Sequence, residues 1–215
     1  IEGVQKAFEE AAVAAADLMK SGKIAMVGSA HSSVEEQFFY KSIAEQSGAK
    51  VYLVSHYGDG DGLLQSEDRT PNLRGALVTG LIDELPSEDL EALERDIKSG
   101  AVNTILTVNE DLTELGINKN VLAKAKVIYI GSHANRTSEL ANIVLPSLMV
   151  FEKDGSFINQ SFRIQRFKAA VPGPRGIQSD FIVLDRIAAA LAGETASAIT
   201  IDLVWERMTA TIDQL

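Results

Sequence analysis

Three histidines, His31, His56 and His133, each follow an apolar run that reads as a β-strand: IAMVGSA, VYLVS and VIYIGS. Imidazole nitrogens ligate metals and carry protons near neutral pH. Asp59, Asp61, Asn109, Glu110 and Asp111 also sit just past such runs. If the strands are parallel neighbours, all these loops leave the sheet at one edge, where α/β sheets bind their ligands. The pattern suits a metal or a polar ligand. Ordinary solvated loops, where polar residues belong, are the reading to prefer, and spacing along the chain does not say whether the loops meet. No metal ligand is therefore assigned from the sequence.

A second group lies in FEKDGSFINQSFRIQRF. The segment reads as a polar hairpin turning at Asp154-Gly155, a dipeptide suited to the positive φ of tight turns. Asn159, Arg163 and Gln165 alternate along it, and an arginine there can clamp an anion with its planar fork. The alternative is a surface ribbon against another domain. Gly28-Ser29-Ala30-His31 links the first strand to a helix whose first N–H groups can hold a phosphate, although G-x-G-x-x-G is missing. No G-x-S-x-G elbow, H-E-x-x-H or P-loop lysine is present. The acidic pairs Glu9-Glu10 and Glu35-Glu36 read as solvated helix faces.

Alternating elements must position these residues. Helices are expected over 2–21, from Ser32-Ser33 to about Gly48, and over 73–81, 87–99, 121–125, 136–141, 181–191 and 203–212. Strands are expected over 23–28, 51–54, 102–108, 127–130 and 143–145, the last stopped by Pro146. Several are apolar on both faces. The fold class is thus α/β, a doubly wound, mostly parallel sheet with helices on both faces, plus a β-hairpin arm. The expected organisation is an α/β domain over 1–150, the arm and an extended connector over 151–177, and carboxyl-terminal helices over 178–215 packing back on the first part.

Composition narrows the function. The 215 residues are 46% hydrophobic, enough for a sizeable core. The formal net charge of −10 repels nucleic acid and anionic lipid. No apolar run is long enough to span a membrane, and no secretory signal is visible. The chain has no cysteine, so disulfides, thiolate zinc sites and cysteine-ligated iron–sulphur clusters are excluded within it. It begins at Ile1, which reads as a processed form or an excised piece.

The block SELANIVLPSLMVFEKDGSFINQSFRIQRFK (138–168) resembles the A-D-x-V-L-P … E-K-x-G-T-x-x-N-x-x-x-R-x-Q segment of the molybdopterin oxidoreductase family. QSEDRTPNLRG (65–75) is similar to the S-x-D-R-T-P-N-x-R-G segment of the large iron–sulphur subunits of NADH:quinone oxidoreductase, complex I. VEEQFFYKSIAEQSG and PGPRGIQSDFIVLDRIAAALAG resemble two further family helices. The resemblance implies a domain from the carboxyl-terminal region of a large redox subunit, with iron–sulphur clusters only in upstream domains. It implies other domains or subunits of a respiratory complex as partners, and a cytoplasmic, peripheral location without direct membrane insertion.

In family members that carry molybdopterin guanine dinucleotide, this kind of domain helps hold the nucleotide. Ser29, Asp111, Asn159, Arg163 and Gln165 are the positions that would do so here. The family's Gly-x-(Asn/Asp)-Pro turn reads Asn109-Glu110-Asp111-Leu112, without the Gly or the Pro. The leading expectation is a complex I-type structural domain with no cofactor or catalytic residue of its own. The rivals are a fragment of a formate dehydrogenase-like enzyme, and a free-standing binding module built on the three histidines.

Overall fold

In the computed structural model, which describes residues 1–85 and 90–215, five parallel strands form one sheet. They are β1 (Ile24–Ser29), β2 (Lys50–Val54), β3 (Thr104–Val108), β4 (Lys126–Gly131) and β5 (Ile143–Pro146), in the order β2-β1-β3-β4-β5. The central strands β1 and β3 are buried along their whole length, because helices cover both faces. The edge strand β5 alternates buried and exposed, and its terminal Pro146 pairs opposite Gly131. An edge is where a strand tolerates a proline.

Alternate side chains enter two separate apolar layers. Met26, Leu106 and Ile128 face α1 (Phe8–Lys20), α2 (Val34–Ser47), α7 (Asp180–Ala192) and α8 (Ile201–Thr211). Ala25, Ile105 and Val127 face α4 (Leu90–Ser99) and α5 (Lys119–Leu122). The doubly wound sheet is therefore as the apolar runs imply. Two short helices, α3 (Leu73–Val78) and α6 (Arg136–Leu140), lie in the connections after β2 and β4. The helix expected over 87–99 is present from Leu90; its first residues, 87–89, lie outside those described.

Helix α2 has a complete entry and exit. Ser33 Oγ accepts from the Glu36 N–H at 3.3 Å, and Glu36 Oε2 accepts from the Ser33 N–H at 3.0 Å. This capping box satisfies two otherwise orphaned donors. Gly48 ends the helix at φ 65°, a left-handed conformation that costs glycine little. At 28, a Cβ would lie 3.0 Å from the Tyr40 ring, so glycine lets α2 settle on β1.

The hairpin corrects the sequence reading. Strands β6 (Gly155–Ile158) and β7 (Ile164–Phe167) are antiparallel, but Asp154-Gly155 opens the ribbon instead of turning it. A Cβ on Gly155 would meet the Phe167 ring at 2.5 Å, and Asp154 Oδ1 accepts from the Ala169 N–H at 2.8 Å. Both residues serve the open end. The turn is made by residues 159–163: Asn159 Oδ1 accepts from the N–H groups of Ser161 (2.9 Å) and Arg163 (3.1 Å). Phe162 there adopts φ 56°, which no local sequence signal announces.

Removing the α2 cap isolates its contribution. Ser33→Ala is expected to destabilise the fold by about 1 kcal/mol, read as a lower urea midpoint with an unchanged slope. A change in the slope would instead mean that the cap also sets how compact an end state is.

Candidate functional site

Strand order reverses between β1 and β3, so the loops leaving their carboxyl ends diverge. Open α/β sheets bind ligands at such a switch point. A cleft of about 280 Å³ lies there, lined among others by Ser29, His31, Glu36, Asn109, Tyr129, His133 and Lys153. Phe157 and Phe167 of the hairpin, whose ring centroids are 4.8 Å apart, form part of its wall.

One side is a buried charge cluster. Lys153 Nζ donates to Glu36 Oε1 at 2.6 Å and also to Asp180 Oδ2; these side chains are 8%, 1% and 0% exposed respectively. Burial opposes the charge on Lys153, but the two carboxylates outweigh it and hold the ammonium well above the ordinary lysine range. Burial pushes the Glu36 carboxyl up, against the pull of Lys153. The solvated face expected for Glu35-Glu36 is therefore wrong. Glu35 is also buried, accepting from the Ser156 N–H at 3.0 Å and from Trp205 Nε1 at 2.8 Å. The two neighbours do diverge, Glu35 toward Ser156 of β6 and Trp205 of α8, Glu36 toward Lys153 ahead of β6. Glu9 and Glu10 make surface ion pairs with Arg186 and Lys6.

The remaining wall is a hydrogen-bonded scaffold. Asn109 takes φ 58°, a left-handed conformation that asparagine adopts more readily than most residues other than glycine. Its Nδ2 donates to Asp180 Oδ1 at 3.3 Å, and its Oδ1 accepts from the Ser132 N–H at 3.2 Å. Asn109 thus ties two loops to α7. Buried Asn72, from the T-P-N segment, donates to the Ser32 carbonyl at 2.7 Å and accepts from the Ile158 N–H at 2.7 Å. It fastens β6 to the start of α2.

Of the five residues nominated for a nucleotide, Ser29 alone lines the cleft. Its hydroxyl donates to Glu110 Oε1 and accepts from the His31 N–H at 3.1 Å. Asp111 is committed elsewhere. Its Oδ1 accepts from Thr113 (N–H 3.0 Å, Oγ1 2.8 Å) and Thr137 Oγ1 (3.0 Å), and its Oδ2 accepts from the Arg136 N–H (3.1 Å). Burial alone would raise this carboxyl, but those donors overcome it and hold it below the usual value. Asn159 shapes the hairpin turn, with its Nδ2 3.4 Å from Gln165 Oε1. Arg163 and Gln165 are exposed. These five positions do not converge on one pocket.

The histidines divide. His31 and His56 have ring centroids 5.2 Å apart, and His56 Nε2 lies 3.9 Å from Glu110 Oε2. His133 faces the cleft separately, 2.9 Å from Ser132 Oγ through Nδ1. Asp61 organises its own exposed loop, accepting from the N–H groups of Gln65, Leu63 and Leu64. The Ser33-x-x-Glu36 spacing could have marked Glu36 as a capping residue. No local signal could have joined it to Lys153, 117 residues away.

Two variants test these assignments. Lys153→Ala leaves two carboxylates buried together and is expected to cost about 3–5 kcal/mol by urea denaturation, far more than Glu36→Gln. A loss below about 1 kcal/mol, the scale of a surface pair, would mean that the cluster is solvated. Asp111 has a depressed folded pKa, so its stabilisation is present above the unfolded value and is lost as pH falls through the folded one. Asp111→Asn is therefore expected to lower Tm at pH 7, with the difference from wild type closing below about pH 4. A difference independent of pH would assign the loss to shape alone.

A sequence profile of the molybdopterin oxidoreductase family matches residues 72–190, more than half of the chain. The alpha subunit of a formate dehydrogenase from Methanococcus maripaludis is 33% identical over 79 residues, 36% of this chain and 12% of that protein. The mitochondrial 78 kDa subunit of NADH-ubiquinone oxidoreductase from Neurospora crassa is 35% identical over 60 residues, 28% of this chain and 8% of that protein. The matches thus span about a tenth of these relatives' lengths. A chain of the formyltransferase/hydrolase complex from Methylorubrum extorquens, solved with methylofuran, superposes with a TM-score of 0.59. It is 12% identical, with 90% of this chain and 98% of that chain covered, a likeness of fold alone. With more than half of its length matched and the α/β sheet in place, the chain belongs to the molybdopterin oxidoreductase family.

Proposed function

We propose that this chain is a structural domain of a redox complex, of the kind found toward the carboxyl end of the complex I large subunit, and performs no chemistry alone. The observation that carries this reading is how its family-specific segments are used. Lys153, the Ser156 and Ile158 N–H groups, and Asn72 are committed to internal bonds that fasten the hairpin to α2 and α7. Exposed apolar side chains flank the same ribbon, Phe151 and Val171 at its open end and Phe162 and Ile164 at its turn. Burial against another domain or subunit would cover them.

The matched relatives are themselves named as subunits, which supports the same reading. The partners are then neighbouring domains or subunits of that complex, with any iron–sulphur clusters upstream. Among the described residues no helix is long and apolar enough to cross a membrane. A peripheral, cytoplasmic position reached through partner subunits belongs to this reading.

A second reading, a fragment of an active molybdopterin enzyme, is favoured by one feature. Asn109 holds a left-handed turn at the switch point, beside the cleft. The purified chain should be titrated with a guanine nucleotide by calorimetry. The structural reading expects no saturable heat at millimolar ligand. Saturable binding that Ser29→Ala, in the cleft, abolishes would replace it with the enzyme reading.

A further inference from the structure

We propose that His31, His56 and Glu110 form a binding site for one divalent first-row transition ion. The three side chains leave the carboxyl ends of β1, β2 and β3, which are adjacent in the sheet. One ligand atom from each lies within 4.8 Å of the other two. Rigid strand ends therefore bring together two imidazoles and a carboxylate that are distant in sequence. Ligand atoms about 2.0–2.2 Å from an ion stand closer together than that. Modest side-chain rotation closes the gap, and His31 and His56 are solvent-accessible enough to make it.

The chemistry of the set selects the ion. Imidazole nitrogen suits zinc, iron, nickel and copper, whereas calcium and magnesium prefer an all-oxygen shell. Two histidines and one carboxylate leave further positions for water or a small ligand. A supporting bond is also present: Ser29 Oγ donates to Glu110 Oε1, leaving Oε2 as the oxygen toward His56. Such bonds hold a ligating carboxylate in orientation. The net charge of −10 favours cation approach. His31 also lines the switch-point cleft, so an ion here stands at its rim.

Zn²⁺ is the probe, by calorimetry on the intact chain, with Co²⁺ as its optical reporter. Saturable binding of one equivalent is expected, with a Co²⁺ ligand-field spectrum. His31→Ala and His56→Ala should each weaken it by more than about tenfold, at least the effect of losing a supporting residue. His133→Ala, which removes the neighbouring histidine outside the triad, should leave the affinity within twofold. Zn²⁺ should also raise the wild-type Tm but not that of the His31→Ala/His56→Ala variant, since an ion bound only to the folded chain stabilises it. Circular dichroism checks that each variant is folded. Either the lack of one-equivalent binding in the wild type, or binding that survives in the folded double variant, would overturn the proposal.

Discussion

Lys153 is the fastening on which the upper edge of the molecule depends. It follows the short 3₁₀ turn after β5 and opens the hairpin, yet its ammonium is buried between α2 and α7. A buried cation is tolerated only with close counter-charges, and the two carboxylates come from the first turns of two different helices. The ion cluster therefore selects one position for the ribbon. An apolar contact would allow it to slide. From that fixed point, backbone N–H groups of β6 reach Glu35 and Asn72 in turn. The hairpin is stitched to α2 by polar bonds along its length, and its two phenyl rings can then wall the cleft.

Glu36 couples this fastening to helix formation. One of its oxygens closes the α2 capping box and the other receives Lys153. The start of α2, the end of β1 and the root of the hairpin are consequently one unit. Asp180, the first residue of α7, receives the same ammonium and also Asn109 from the loop after β3. Local helix entry, sheet topology and the cleft wall thus share the same few side chains. Such shared use ties family-like segments far apart in sequence into one scaffold.

The opposite side of the switch point has a different character. Around β1, β2 and β3 the loops present imidazoles and a carboxylate at the rim, while Asp111 and Asn135 use their hydrogen bonds to shape the β3 and β4 loops. The family match over residues 72–190 takes in β3, β4, β5 and the hairpin. The histidine pair lies before it, on the ends of β1 and β2.

Much of the fold was legible in the residues themselves. Doubly apolar strands alternating with capped helices give a covered parallel sheet, because strand and helix periods and capping chemistry act locally. Ser33 and Gly48 mark the two ends of α2, as their neighbours suggest. The hairpin turn was not legible: Asp154-Gly155 carries the usual turn signal, whereas Phe162 at positive φ carries none. Nor was the burial of Glu35 and Glu36, whose partners lie more than a hundred residues away. The three histidines could be placed at one sheet edge from sequence, since parallel strands share a direction. Which of them meet was decided by the lateral order of the strands, which depends on packing across the whole sheet and leaves no mark in any single segment.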